Sequence, residues 1–291
     1  MIALLAIGLL LLQAAVFTGH TELVVLPVIV TDAHGHRVAG LTQENFRVLE
    51  DGRPQPISVF RYGDAPITLG LIVDRSQSMR PKTRALLISV SALLQASRPD
   101  DELFAVAVND GASPVLAAAR PFTSDVNELL TALTAVPAAG RTALYDGVAE
   151  GLERLELGHG EKRALIVVSD GGDNASRRTY DEILALARRS DAVIYAIGLL
   201  GTPPAEEDED SGLLKRLCRD TGGVAYFPGT NQEIAAMSAE IGRDLREQYT
   251  LGFTPGERTD GHAFRKIDVT VTAAGRGRLH VRTRSGYLAK P

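Results

Sequence analysis

Two largely apolar runs, each followed by a carboxylate, constrain this chain more than anything else in it. Residues 67–73 end at Asp74, and residues 163–168 end at Ser169-Asp170. A run without polar alternation is the mark of a parallel strand buried on both faces. Between and after these runs come helical stripes. Residues 84–95 carry Leu86, Leu87, Val90, Leu93 and Leu94 on one face. Residues 143–155, 179–189, 211–219 and 231–246 read as further helices, and Thr123-Ser124-Asp125 as the cap of a short one through Leu133. Residues 102–108, 115–119, 192–199 and 224–227 read as strands. Strands alternating with helices predict an α/β domain over residues 66–247: a doubly wound, mostly parallel sheet with helices on both faces.

The flanks follow a different period. Residues 23–30 are apolar and strand-like, and residues 46–50 and 55–60 are separated by Asp51-Gly52, a strong hairpin signal. Near the other end Arg265, Ile267, Val269 and Val271 alternate with Lys266, Asp268, Thr270 and Thr272. Arg278, His280, Arg282 and Arg284 then share one face, opposite Leu279 and Val281, and read as the solvent face of an edge strand. Neither flank alone has enough strands for an independent sheet. The economical solution is that residues 20–65 and 248–291 pair into one smaller β-sandwich-like module, into which the α/β domain is inserted.

Composition narrows the function classes. With 45% hydrophobic and 23% charged residues the chain can build a core, and a net charge of −5 speaks against nucleic acid as partner. There is no P-loop, no dinucleotide-binding glycine fingerprint and no G-x-S-x-G elbow, so no small-molecule substrate is expected. Residues 2–12 are nearly all apolar and are followed by Ala14-Ala15. That run is short for a bilayer span and reads as a signal peptide over residues 1–19, or else as a retained anchor. Export to the periplasm or the exterior follows. Cys218, the single cysteine, lies on a helical pattern with Leu214 and Leu217 and reads as a buried structural thiol.

Three oxygen-rich stretches stand where strands end or a helix begins. They are Asp74-Arg75-Ser76-Gln77-Ser78-Met79, Gly140-Arg141-Thr142-Ala143-Leu144-Tyr145-Asp146-Gly147 and Ser169-Asp170-Gly171-Gly172-Asp173-Asn174. In open α/β sheets ligands bind beyond the carboxyl ends of the strands. Hydroxyls and carboxylates without sulfur or imidazole suit a hard divalent cation such as Mg2+, which accepts oxygen ligands and keeps several waters.

At these residues the chain resembles the von Willebrand factor type A family, whose metal-ion-dependent adhesion site combines D-x-S-x-S with a downstream Thr and a downstream Asp. The resemblance covers about residues 66–247. It implies that Ser76, Ser78 and Thr142 contribute hydroxyl oxygens to Mg2+ or Mn2+, with Asp74 and Asp170 acting directly or through water. A carboxylate of a partner protein would complete the shell. Asp146 and Asp173 are expected to support these groups by hydrogen bonds rather than to bind the ion. Phe46 to Gln55, Tyr249-Thr250-Leu251-Gly252-Phe253, Ile267 to Val271 and Ser285-Gly286-Tyr287 resemble a bacterial branch of exported proteins related to that family. The resemblance implies a non-enzymatic adhesion module whose last helix, residues 231–246, moves in some members. Two other readings compete: a scaffold whose cation site is unused, and a hydrolase using the ion as Lewis acid.

Two other signals carry bland readings. His34-Gly35-His36 is expected to be a turn rather than half a zinc site. The acid run Glu206-Glu207-Asp208-Glu209-Asp210 is expected to be a solvated loop before a helix.

Overall fold

The structure, a computed structural model, describes residues 23–199, 209–256 and 264–289. The expected signal segment and the acidic residues Glu206 to Asp208 lie outside these. The N-terminal flank forms β1 (Val24–Thr31), β2 (Phe46–Glu50), β3 (Arg53–Gln55) and β4 (Val59–Tyr62). The centre runs β5 (Ile67–Asp74), α1 (Thr83–Leu94), β6 (Glu102–Val108), β7 (Ala112–Pro114), α2 (Val126–Ala135), α3 (Leu144–Leu155) and β8 (Lys162–Ser169). It continues through α4 (Tyr180–Arg189), β9 (Val193–Gly198), α5 (Glu209–Thr221), β10 (Ala225–Tyr226) and α6 (Asn231–Glu247). The C-terminal flank adds β11 (Tyr249–Phe253), β12 (Phe264–Val271), β13 (His280–Arg282) and β14 (Gly286–Leu288). No helix among the described residues is long and apolar enough to cross a membrane.

The central sheet has the order β10-β9-β8-β5-β6-β7, parallel except for β7. Its middle strands β5, β6, β8 and β9 are buried almost throughout, as their largely apolar sequences require. Leu69, Leu71 and Val73 face α1, α2 and α6 on one side. Ile72, Val106 and Val167 face α3, α4 and α5 on the other. Helix α3 lies close on the sheet because Gly147 and Gly151 leave no side chain in the way. A Cβ on Gly147 would come within 2.4 Å of Val108, and one on Gly151 within 2.6 Å of Ile72. That approach presses the start of α3 against the carboxyl edge of the sheet.

The flanks interleave. One sheet has the order β13-β1-β11-β4 and the other β14-β12-β2-β3, so each draws strands from both flanks. Both sheets contribute to one core, which includes Leu26, Val28, Phe46, Val48, Tyr249, Leu251, Phe253, Ile267 and Val269. The β2–β3 turn has positive φ at Asp51 (48°) and Gly52 (78°), as the Asp-Gly dipeptide predicts.

Three local expectations are corrected. Residues 55–60 are not one strand: β3 ends at Gln55, and after Pro56 the chain changes sheet and resumes as β4 beside β11. Proline cannot donate to a ladder, which explains the break. Residues 115–119 form no strand; β6 turns back at Asn109–Gly111 and pairs with the three-residue β7 instead. The basic stripe is only partly a solvent face. Arg278 and His280 are exposed, but Arg284 is buried, its guanidinium donating to the carbonyls of Ser190 (2.8 Å), Arg188 (2.8 Å) and Gly286 (3.0 Å). Arg282 turns toward Gly222 O and the Asp244 carboxylate of α6. A charge at every second residue marks a face without saying what that face meets, and here it meets the helix ends of the α/β unit.

Candidate metal centre at the carboxyl edge

Strands β5 and β8 are neighbours, with Val73 opposite Val168, so their carboxyl ends release the chain side by side. The connection after β5 passes through α1 on one face and that after β8 through α4 on the other, which makes this the switch point of the sheet. Asp74 closes β5 and is fully buried. One carboxylate oxygen accepts from Ser76 N at 2.8 Å, and the other from Ser169 Oγ at 2.7 Å. Ser169, the last residue of β8, thereby ties the two strand ends together; its hydroxyl also accepts from Gly171 N at 3.0 Å.

Past Asp74 the chain enters a short 3-10 segment, Gln77–Lys82. Ser76 is buried and Ser78 exposed, and their Oγ atoms lie 3.0 Å apart. The loop before α3 is laced to this segment through backbone bonds, Gln77 N to Gly140 O at 3.0 Å and Ala139 N to Arg75 O at 2.8 Å. It carries the buried Thr142, whose N–H donates to Asn174 Oδ1 at 2.9 Å. The loop after β8 returns the contact, with Asn174 N and Ala175 N both donating to Thr142 O. Asp170, the residue after β8, is half-buried and accepts from Lys82 Nζ at 2.9 Å.

Asp146 and Asp173 sit one step further out. Asp173 accepts from Tyr145 N (2.9 Å) in the first turn of α3, and from the hydroxyl (2.5 Å) and N–H (3.3 Å) of Ser176. Asp146 accepts from Arg177 N and Arg178 N, both at 3.1 Å. Together they clamp the loop after β8 onto the start of α3, on either side of Asn174 and hence of Thr142. Arg75 faces away from the edge, donating to Val136 O through Nε (3.0 Å) and Nη2 (2.5 Å). Gln77 is exposed.

Burial drives the Asp74 pKa upward, the bonds from Ser76 and Ser169 pull it back, and the nearby Asp170 charge adds to the rise. A buried carboxylate held by neutral donors of Ser76 and Ser169 gains from a cation at this spot. The donor set offers oxygen only, two carboxylates with hydroxyls beside them, which fits a hard divalent ion. Among the described residues no group of three or more His, Cys, Asp and Glu side chains is placed to hold a metal. The candidate differs from such groups in drawing most of its donors from Ser and Thr.

Reasoning from motifs missed Ser169, Lys82 and Asn174. Ser169 had a signal in its position at a strand end beside Asp170; Lys82 and Asn174 had none that spacing could supply. Two of the remaining signals behave as expected. His34 and His36 lie in a turn around Asp32, and Cys218 is buried, its thiol pushed up by burial. A cleft of about 580 Å3 lined by Tyr62, Pro66 and Lys162 opens at the opposite, amino edge of the sheet.

Residues 69–172 match the family model of the von Willebrand factor type A domain, a stretch that contains all five candidate ligands. No curated protein matches the chain in sequence. Among solved structures, the chain is similar to a von Willebrand factor type A protein from Catenulispora acidiphila, with TM-score 0.54 and 13% identity over 82% of this chain and 73% of that one. It is also similar to proximal thread matrix protein 1 from the mussel byssus, with TM-score 0.52 and 14% identity over 69% of this chain and 51% of that one. At such identities the likeness is one of fold. The central α/β unit, with its doubly wound sheet and its matched segment from β5 through β8, has the fold of a von Willebrand factor type A domain.

Proposed function

We propose that this domain is a cation-dependent protein-binding module. Asp74, Ser76, Ser78, Thr142 and Asp170 hold Mg2+ or Mn2+, and an acidic side chain or C-terminal carboxylate of a partner protein completes the coordination. The observation that carries this reading is the arrangement at the switch point. Two carboxylates and two serine hydroxyls 3.0 Å apart stand on adjoining loops, with the Thr142 loop laced to them. Binding is favoured over catalysis because a hydrolase needs a positioned base beside the ion. The described histidines lie elsewhere: His34 and His36 in the β1–β2 connection, His159 beside Glu102 at the amino edge, and His280 on β13. The apolar residues 2–12 motivate the further proposal that the protein is exported, which N-terminal sequencing of the mature chain tests.

The test is thermal unfolding of residues 20–291 titrated with Mg2+ and Mn2+, beside Asp74→Ala and the milder Ser78→Ala. An ion bound only to the folded state stabilises it by RT ln(1 + [L]/Kd), about 2.7 kcal/mol at a hundredfold excess. A saturable rise in melting temperature that is lost in Asp74→Ala and weakened in Ser78→Ala is the expected result. Identical flat curves would sink the cation reading and favour a scaffold that binds through other surfaces.

A further inference from the structure

The 3-10 segment that carries Ser78 ends at Lys82, one residue before α1 begins. Its backbone is therefore held by a helix start, and its ammonium reaches back over the carboxyl edge to Asp170 Oδ2 at 2.9 Å. Both partners are largely enclosed, with side chains 24% and 14% exposed. Other cations around the edge are spent elsewhere. Arg75 donates to Val136 O, Arg80 to Ala138 O, and Arg141 lies beside Asp110. Among the described residues, the ion pair made by a candidate ligand is the one with Lys82. A lysine on the same carboxylate that a divalent ion needs is a competitor tethered at fixed distance.

Resting on the cation reading above, we propose that Lys82 is the built-in counter-ion of this site, displaced from Asp170 when a divalent ion binds, and that this exchange sets the affinity of the ion. Without an ion, the ammonium offsets the Asp170 charge that bears on Asp74. With an ion, the two positive charges repel across one carboxylate, and the lysine moves outward. The exchange lowers affinity for the ion by the strength of the lysine pair, and linkage makes the effect mutual. The displaced ammonium stands at the rim of the site, where it adds positive charge beside the position offered to an acidic group.

The experiment is calorimetric titration of the full chain with MnCl2 at constant ionic strength. Wild type is compared with Lys82→Met, Lys82→Gln and Lys82→Arg, with Asp170→Asn as the variant lacking the contested carboxylate. The expected result is binding about tenfold tighter in both neutral variants and within about threefold of wild type in Lys82→Arg. In the ion-free state the neutral variants should melt below wild type, because Asp170 has lost its partner. Equal or weaker Mn2+ binding in the neutral variants, with loss of binding in Asp170→Asn, overturns the role of Lys82 while leaving the cation site standing. Absence of Mn2+ heat from every protein in the series overturns both readings.

Discussion

Two buried cations show how single residues hold this molecule together with no carboxylate in ion-pair contact among the described residues. Lys162, at the start of β8, donates to Gly63 O (2.6 Å) and Leu245 O (2.8 Å). Arg284 donates to three carbonyls, two of them at the end of α4. Each sits where unpaired carbonyls and the negative end of a helix dipole gather. The charge still costs desolvation. Burial, and then the positive charge of Arg246, bring the Lys162 pKa down from 10.5 to about 8. The unfolded chain therefore keeps a proton that the folded chain has released between these values, and stability rises with pH across the window. Tyr195 and Tyr287, pushed up by burial, act the other way once unfolded tyrosines ionise near pH 10. Between pH 8 and about 9.5 the lysine effect should dominate, raising unfolding free energy on the order of 1 kcal/mol. Urea unfolding across that range should show the rise in wild type and not in Lys162→Met; an unchanged slope in the variant would assign it to another group. The candidate metal residues were legible because Asp74, Ser76, Ser78, Thr142 and Asp170 stand in fixed relation to strand ends and a helix start. Lys82 was not, since its link to Asp170 spans 88 positions and depends on how the 3-10 segment turns.

Among elements, α6 is the most firmly tied to its surroundings by charge. Asp244, 2% exposed, accepts from Arg37 of the β1–β2 connection, from Arg282 of β13 and from Tyr195 OH of β9. One turn earlier Glu240 also meets Arg37, and nearer the C-terminal end Arg246 pairs with Asp101 and donates to Ala96 O at 2.8 Å. The contacts with Arg37 and Arg282 cross from the α/β unit into the sandwich and the others stay within the unit, so displacement of α6 along its axis would have to break both sets. Truncating Asp244 leaves two guanidiniums without their shared carboxylate. Asp244→Ala should cost about 3 kcal/mol, and Asp244→Asn less. The shift in urea midpoint measures it; a loss below about 0.5 kcal/mol would mean that the arginines are satisfied without Asp244, Arg37 by Glu240 and Arg282 by solvent. The helix itself was plain in sequence over residues 231–246, and the structure closes its start with a Thr230/Glu233 capping box. Its anchoring was not, because the arginines that hold it lie about 200 residues upstream or on a strand whose alternating charges read as a surface. The same blindness to partners hid β7 and the change of sheet at Pro56, where runs of three or four residues carry too little pattern to declare a neighbour.

At the scale of the whole molecule the chain order produces a mutual dependence. β1 lies between β13 and β11, and β12 lies between β14 and β2, so neither flank owns a complete sheet. The flanking pattern of the sequence exposed this, because too few strands stood at each end to close a sheet alone. The pairing register and the docking of Arg37, Arg282 and Arg284 came only with the structure. The insertion fixes both ends of the α/β unit: β4 leads into β5 across four residues, and α6 passes to β11 through Gln248 alone. The sandwich thus grips the unit at its amino edge, opposite the carboxyl edge that carries Asp74 and Asp170. Removing residues 249–291 takes away β11 to β14 together, which strands β1 and β4 without the neighbour they share and leaves β2–β3 as a lone hairpin. Isolated two-stranded pieces are marginal in water. Amide hydrogen exchange should then show residues 24–31 and 46–50 losing protection together, although none of them has been altered. Retained protection in those residues would mean that the N-terminal flank folds by itself, and the sandwich would have to be regarded as two separate pieces rather than one module closed by both ends of the chain.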